Sequence, residues 1–301
     1  MRATPLLHAR RSYVSGRIAR VIAVLLGLAC RCWALKRQPA HPPHAIILSA
    51  SRGWLNYRHT LNALEVYRSA RGLGMPDRRI RLLLADPLSC NPRNARYGQL
   101  HAAGPRGEVS ALHPAISARG EDVSEAALLQ LLSGVHPPGT PASQRLLSTG
   151  KSNVVVFLTG HGGDQFLKMH DRSEFLEADL AAAIRAMHAL GRYAHLLILI
   201  DTCQAATLCS TLSFPNVICI TSSVLGQSSY AKSADSLLGL HVVDEFSHAM
   251  GQRLGEPGAA SKTLHDLLAN LQSDVKLSTV SSMSTGGDAL MKNLTVGDFF
   301  A

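Results

Sequence analysis

Two short polar segments of the chain each follow an apolar run, and each contains one residue suited to nucleophilic chemistry. His161 lies in Thr159-Gly-His-Gly-Gly163, and Cys203 lies in Asp201-Thr-Cys-Gln-Ala205. A free cysteine is mostly protonated at neutral pH, and a nearby imidazole can accept its proton or stabilise the thiolate. The pair therefore predicts acyl transfer, with Cys203 as the nucleophile and His161 as the base.

The glycines beside the histidine add an oxyanion site to this prediction. They allow a substrate carbonyl to approach the backbone closely, and the N–H groups of Gly162 and Cys203 could then bind the developing negative charge. A lone cysteine after a strand is usually a small buried hydrophobe. The occurrence of both residues after consecutive apolar runs is what favours catalysis. Cys219 is predicted to be inert core, and Cys209 is predicted to lie on a helix after the nucleophile without a role of its own.

The elements that must position these residues are apolar runs that alternate with helical patterns. Runs without polar alternation are typical of strands buried on both faces of a parallel sheet, and strand–helix alternation indicates βαβ units. We therefore predict a three-layer α/β domain, with a mostly parallel central sheet flanked by helices and the site at the carboxyl ends of the strands. The predicted strands are Ala45–Leu48, Ile80–Leu84, Val154–Leu158, Leu196–Ile200 and Val217–Ile220; the predicted helices are Arg58–Leu73, Ser124–Leu132, Glu174–Leu190 and Lys262–Gln272.

Composition divides the chain into a basic leader with a linker, residues 1–40, and a catalytic domain, residues 41–301. The leader holds eight of the 30 basic residues and no acidic one, so the net charge of +9 belongs almost entirely to it and does not indicate a nucleic-acid partner. Basic residues precede the apolar run Val21–Cys30, as in a secretory signal, and we expect cleavage between about residues 30 and 43. A buried N-terminal helix and an uncleaved anchor are the alternatives. Residues 86–120 are predicted to form a long surface loop.

Together these motifs resemble the caspase–legumain clan of cysteine peptidases, and within it the catalytic subunits of glycosylphosphatidylinositol (GPI) transamidases. The likeness covers residues 44–301, and its C-terminal end resembles the soluble form of kinetoplastid protozoa. The motifs that carry it, besides the histidine and cysteine segments, are Trp54-Leu-Asn-Tyr-Arg-His59, Leu84-Ala-Asp86, Cys90-Asn-Pro-Arg-Asn94, Arg145-Leu-Leu-Ser148, Phe166-Leu-Lys168 and the closing Lys292-Asn and Asp298-Phe-Phe300.

The resemblance implies a role for several further residues. Asn56 would orient His161, and Arg58 would line the primary specificity pocket. Ser222 and Ser223 would form the wall of the substrate cleft. Cys90 would form an intersubunit disulfide with a large luminal subunit of the PIG-T type.

The resemblance also implies the reaction, its place and its partners. Cys203 would cleave the C-terminal GPI signal of precursor proteins through a thioester, and the ethanolamine amine of a GPI lipid would resolve it. This chemistry needs no cofactor. The enzyme would work in the endoplasmic reticulum lumen with other transamidase subunits, which would supply its membrane association. A legumain-type asparaginyl endopeptidase and a non-catalytic subunit retaining the fold are the alternatives.

Two segments depart from the family pattern. Asp77 matches one acidic residue of a structural calcium site, but the other two positions hold Ala115 and Ser117, so no metal is predicted. The segment Cys209–Phe214 also differs, which bears on the edge of the cleft.

Overall fold

The computed structural model describes residues 41–99, 114–236 and 238–301. The leader and linker, residues 1–40, and the middle of the predicted 86–120 loop lie outside the described residues. Within the described residues, all five runs that the sequence predicts as strands belong to one sheet. The seven strands, in their order across the sheet, are β12 (Ser281–Ser284), β9 (Val217–Thr221), β8 (His195–Asp201), β4 (Asn153–Thr159), β1 (His44–Ser49), β2 (Ile80–Leu84) and β3 (Ile116–Arg119).

All neighbouring strands of this sheet are parallel except β12, which runs antiparallel to β9. Two small antiparallel sheets accompany it. One contains β5 (Gly162–Gly163), β6 (Phe166–Met169) and β7 (Ser173–Leu176). The other contains β10 (Ala231–Asp235) and β11 (Leu240–Asp244).

Helices cover both faces of the large sheet because its central strands are apolar on both sides. Within β1, Ala45 and Ile47 belong to one buried cluster, whereas Ile46 and Leu48 belong to the other, as the two-residue period of a strand requires. The helices are α1 (Tyr57–Leu73), α2 (Glu125–Ser133), α3 (Glu177–Ala189), α4 (Glu245–Leu254), α5 (Leu264–Asp274), α6 (Gly287–Asn293) and α7 (Val296–Phe300). The first cluster contains side chains of α1, α4, α5, α6 and α7, and the second contains side chains of α2 and α3.

Local signals explain where these helices begin and end. Helix α1 ends at Gly74, which has a φ of 116°, a left-handed conformation that glycine adopts without a Cβ clash. Helix α5 begins after Thr263, whose side chain accepts from the Asp266 N–H while the Asp266 carboxylate accepts from the Thr263 N–H. No helix of the described residues combines the length and apolar composition needed to cross a bilayer.

The structure corrects two expectations about the secondary structure. The predicted helix Glu174–Leu190 begins only at Glu177, because the preceding residues pair with β6 as strand β7. The predicted 86–120 loop contains a strand, β3, at the edge of the sheet. Cys209 lies, as predicted, on a helix after Cys203, the short 3₁₀ helix Ala205–Cys209.

The largest correction concerns the cysteines, since Cys209 and Cys219 form a disulfide. Neither residue is therefore without a role. The bond joins the segment that follows Cys203 to strand β9, and both of its residues are almost completely buried. Cys203 and Cys90 are free thiols.

Replacing both bridged cysteines by alanine should lower the free energy of unfolding. The bond closes a loop with a sequence separation of 10 residues. Loop-closure entropy then gives a loss of about 3 kcal/mol. Urea unfolding of Cys209→Ala/Cys219→Ala measures it, and Cys90→Ala, which removes an exposed thiol, is the matched control. Equal midpoints for wild type, control and double variant would contradict the bridge.

Candidate active site

His161 and Cys203 lie on neighbouring loops because strands β4 and β8 pair in register. The last residue of β4, Thr159, pairs with the last residue of β8, Asp201. His161 and Cys203 are each the second residue beyond that pair, on loops that leave the same edge of the sheet. Gly162 lies against the cysteine loop, because a Cβ on it would be 2.5 Å from the Thr202 hydroxyl. Only glycine fits there without a shift.

A hydrogen bond from Asn56 fixes the orientation of the His161 ring. The side-chain oxygen of Asn56 is 2.8 Å from His161 Nε2, and the Asn56 amide nitrogen donates to the Arg52 carbonyl at 2.7 Å. With its nitrogen committed to that carbonyl, Asn56 presents an acceptor to the ring, so Nε2 carries the proton. The neutral ring then has Nδ1 available as a base.

The surroundings of His161 favour this neutral form. Burial lowers the pKa of His161 below its ordinary value, and the positive charge of Arg58 lowers it further. Asp171 opposes this shift. A second histidine, His59, lies edge-to-face against the His161 ring, with the ring centroids 4.8 Å apart. Full burial is the main cause that lowers the pKa of His59, and the positive charge of Arg58 is the next. His59 is therefore also neutral at about pH 7.

In the hairpin after His161, the backbone N–H of Gly162 points away from the partner strand β6. The N–H of Lys168 donates to the His161 carbonyl at 2.8 Å, and Gly162 pairs with Leu167 in the adjacent position of the ladder. Gly162 is therefore in a non-hydrogen-bonded pair, whose N–H groups point away from the partner strand. The Gly162 N–H is therefore not used in the hairpin ladder, and its binding of an oxyanion remains a prediction.

The turn that carries Cys203 is held from strand β9. The hydroxyls of Ser222 and Ser223 both donate to the Thr202 carbonyl, at 3.1 Å and 2.8 Å. Ser223 Oγ also accepts from the Ala205 N–H at 3.1 Å. Both serines are fully buried. Their side chains thus position the turn that carries Cys203, a role that the sequence did not suggest, and their assignment to the substrate cleft remains a prediction.

Arg58 extends from the first turn of α1 to a pair of buried carboxylates that sequence reasoning missed. Its Nε is 3.1 Å from Asp244 Oδ1, and its side chain is 23% exposed. Asp201 accepts hydrogen bonds from the hydroxyls of Ser229 and Ser247, at 2.6 Å and 2.5 Å. Burial raises the pKa of both carboxyl groups, and the charge of Asp201 helps to raise that of Asp244 to about 7. Asp201 directly follows the apolar run Leu196–Ile200, which was the available signal.

The family resemblance also singled out Cys90 and Asp77. Cys90 is exposed and lies on the segment after β2. Asp77 accepts a 2.6 Å hydrogen bond from Tyr67 and forms a 3.0 Å ion pair with Arg71. The described part of the chain holds no group of three or more His, Cys, Asp or Glu side chains arranged around a metal.

The fold is that of a caspase-like cysteine peptidase. The chain superposes on the crystal structure of Caspase-1 from Spodoptera frugiperda with a TM-score of 0.50 and 10% identity, over 88% of this chain and 94% of that one. This likeness agrees with the predicted three-layer arrangement. At the level of sequence, the Peptidase C13 family matches residues 43–301, and the chain belongs to that family.

Its relatives include proteins named GPI-anchor transamidases. The Homo sapiens GPI-anchor transamidase is 36% identical over 265 residues, which are 85% of this chain and 65% of that protein. The Schizosaccharomyces pombe GPI-anchor transamidase is 42% identical over 67% of this chain and 54% of its own length. A putative GPI-anchor transamidase of Caenorhabditis elegans is 37% identical over 74% and 70%. The chain thus spans between about half and two thirds of the length of these relatives.

The buried carboxylate beside Arg58 should make stability depend on pH. The pKa of Asp244, about 7 in the folded protein, exceeds the ~3.9 of an unfolded aspartate. The folded state therefore binds more protons between these values. The contribution of Asp244 to stability is present at low pH and is lost as the pH rises through about 7.

Comparison of Asp244→Asn with wild type isolates this contribution from those of the histidines, whose lowered pKa values act in the opposite direction. Urea unfolding from about pH 5 to about pH 8 should show wild type losing stability relative to the variant as the pH rises. The exposed Asp288→Asn is the matched control, with a constant difference from wild type. A constant difference for Asp244→Asn as well would show that the carboxyl group is already ionised at low pH.

Proposed function

We propose that this chain is the catalytic component of a GPI transamidase. The observation that carries the proposal is the identity of 36–42% to GPI-anchor transamidases from human and fission yeast, over 67–85% of the chain. A caspase-like fold with a histidine and a cysteine on neighbouring strand ends supports it, because such a pair performs acyl transfer. The intact Cys203, His161 and Asn56 argue against a non-catalytic subunit.

The residues of the crevice would act in the following order. His161 Nδ1 takes the thiol proton, and the Cys203 thiolate attacks the carbonyl of the attachment-site residue in a precursor protein. The oxyanion accepts hydrogen bonds from the N–H groups of Gly162 and Cys203. The C–N bond then breaks, His161 returns the proton to the departing amine, and a thioester remains. Asn56 keeps the imidazole in the required tautomer throughout.

A second nucleophile completes the transfer. The amine of the GPI ethanolamine attacks the thioester carbonyl, loses a proton to His161, and expels the Cys203 thiolate as the new amide forms. Water would give the free acid instead, so the crevice must exclude it until the amine arrives. This is the step that distinguishes a transamidase from a legumain-type asparaginyl endopeptidase. The chemistry proposed for these residues involves no cofactor.

Arg58 is the residue we assign to the specificity pocket. It lies in the first turn of α1, directly after the segment that holds Asn56, and its side chain is partly exposed. The ion pair with Asp244 fixes its direction. Ser222 and Ser223 hold the nucleophile turn by their hydroxyls, so we assign their backbone to the cleft wall.

We further propose that the chain works in the endoplasmic reticulum lumen, bound to other transamidase subunits. Cys90 is the point of covalent attachment to a PIG-T-like luminal subunit. Its exposure supports this, as does the Cys209–Cys219 bond, since disulfides persist in secretory compartments. The other subunits and the GPI lipid bring the domain to the membrane.

An external amine should intercept the proposed thioester. With hydrazine present, the assembled complex should convert a precursor to its C-terminal hydrazide. Cys203→Ala should lower the yield by several orders of magnitude, because the substitution removes the nucleophile without adding bulk. Mass spectrometry of the processed C-terminus measures the product. Ser210→Ala, which changes an exposed hydroxyl after the 3₁₀ helix, is the control and should process normally. Free acid as the main product would instead favour the endopeptidase.

Cys90 should link the chain covalently to a partner. Non-reducing gels of the complex should show a heavier species that reducing agent removes, and Cys90→Ser should abolish it while leaving the Cys209–Cys219 bond in place. The double variant Cys209→Ala/Cys219→Ala is the control and should keep the heavier species. A band at the mass of the single chain in wild type would eliminate the proposed bond.

A further inference from the structure

A cavity of about 580 Å³ opens at the edge of the sheet opposite to His161 and Cys203. It lies where the parallel strands begin, since its lining includes the first residues of β1, β2 and β3. The lining residues with polar side chains relevant here are His44, Arg78, Arg79, Arg81, Ser117 and Ser143. Its volume falls in the range of about 300–1,000 Å³ that is usual for small-molecule sites.

The cavity carries positive charge that no carboxylate of the described residues pairs with. Within the described ranges, Arg78, Arg79 and Arg81 form no ion pair with an acidic side chain. The acidic residue in the lining, Asp77, is paired with Arg71. Arg81 is only 3% exposed. Its guanidinium donates to backbone carbonyls, which satisfy its hydrogen bonds but leave its charge uncompensated.

Burial and this positive charge lower the pKa values of groups in the cavity. Burial lowers the pKa of His44 to about 4, and the charges of Arg79 and Arg81 are the next causes. Burial, and then the charge of Arg78, lowers the pKa of Arg79. The Nδ1 atom of His44 is also buried without a hydrogen-bond partner. Like charges placed close together destabilise the fold, and such unfavourable arrangements are expected at functional sites.

We propose that this cavity binds a small phosphate ester, either a free molecule or the headgroup of a lipid. Arginine forks match the geometry of phosphate oxygens and form charge-assisted hydrogen bonds with them. Arg78 and Arg79 would clamp the phosphate, and the hydroxyls of Ser117 and Ser143 would donate to its oxygens or to the alcohol part. Arg81 supplies a fixed charge beneath them. The site is separate from the catalytic crevice and does not depend on the proposed function.

The test measures binding of myo-inositol 1-phosphate to the full-length protein by calorimetry. Wild type should bind the ester, and Arg78→Gln/Arg79→Gln should lower its affinity by about tenfold or more, because each lost charge-assisted bond contributes strongly. Arg119→Gln is the matched control. It removes an exposed arginine at the other end of β3 and should bind like wild type.

Vesicles distinguish the two sources of a phosphate ester. Phosphatidylcholine vesicles with and without phosphatidylinositol 4-phosphate are sedimented with each protein. Binding to the ester alone identifies a soluble ligand, and additional arginine-dependent binding to the phosphoinositide vesicles identifies a lipid headgroup; both support the site.

Failure of wild type to bind either probe would overturn the proposal, as would binding that the double variant retains. Without ligand, the double variant should unfold at a temperature no lower than wild type, because like charges are removed. Loss of fold together with binding would give the arginines a structural role and would also contradict the proposal.

Discussion

The parallel pairing of β4 with β8 is the constraint on which the arrangement of the candidate site depends. It places Thr159 beside Asp201, and the loops that follow therefore leave the sheet side by side. A slip by one residue would turn the side chains of one strand to the opposite face and separate His161 from Cys203. The side chains of these strands are packed into two buried clusters, one on each face, and a slip would exchange the residues between the clusters and disrupt their close packing.

The register alone does not orient the reacting groups, and the neighbouring elements complete the arrangement. The start of α1 supplies Asn56, which fixes the tautomer of His161. The end of β9 supplies Ser222 and Ser223, which hold the carbonyl just before Cys203. The site is thus assembled from the ends of three parallel strands and one helix. Changes in their packing would alter the geometry without touching a reacting atom.

Sequence predicted the parts of this structure that depend on local pattern. The five apolar runs are strands, because a segment such as Val154–Leu158 has no polar face to present to water. Helix α3 starts later than its periodicity suggested, because pairing of β7 with β6 depends on residues elsewhere in the chain. The same reason hid the ion pair of Arg58 with Asp244 and the hydroxyls that bind Thr202. Contacts between distant segments leave no periodic signal.

The disulfide has a consequence for how this chain must be made. The role proposed for Cys203 needs a free thiol, whereas Cys209, six positions further along, is in a disulfide. In the unfolded chain, these two cysteines are closer in sequence than Cys209 and Cys219, so contact probability favours the wrong pairing. Correct maturation therefore calls for a compartment that both forms disulfides and exchanges them, and for folding of β9 before the bond becomes permanent. Under the proposed function, oxidative folding would therefore decide whether the Cys203 thiol stays free, as well as how stable the domain is.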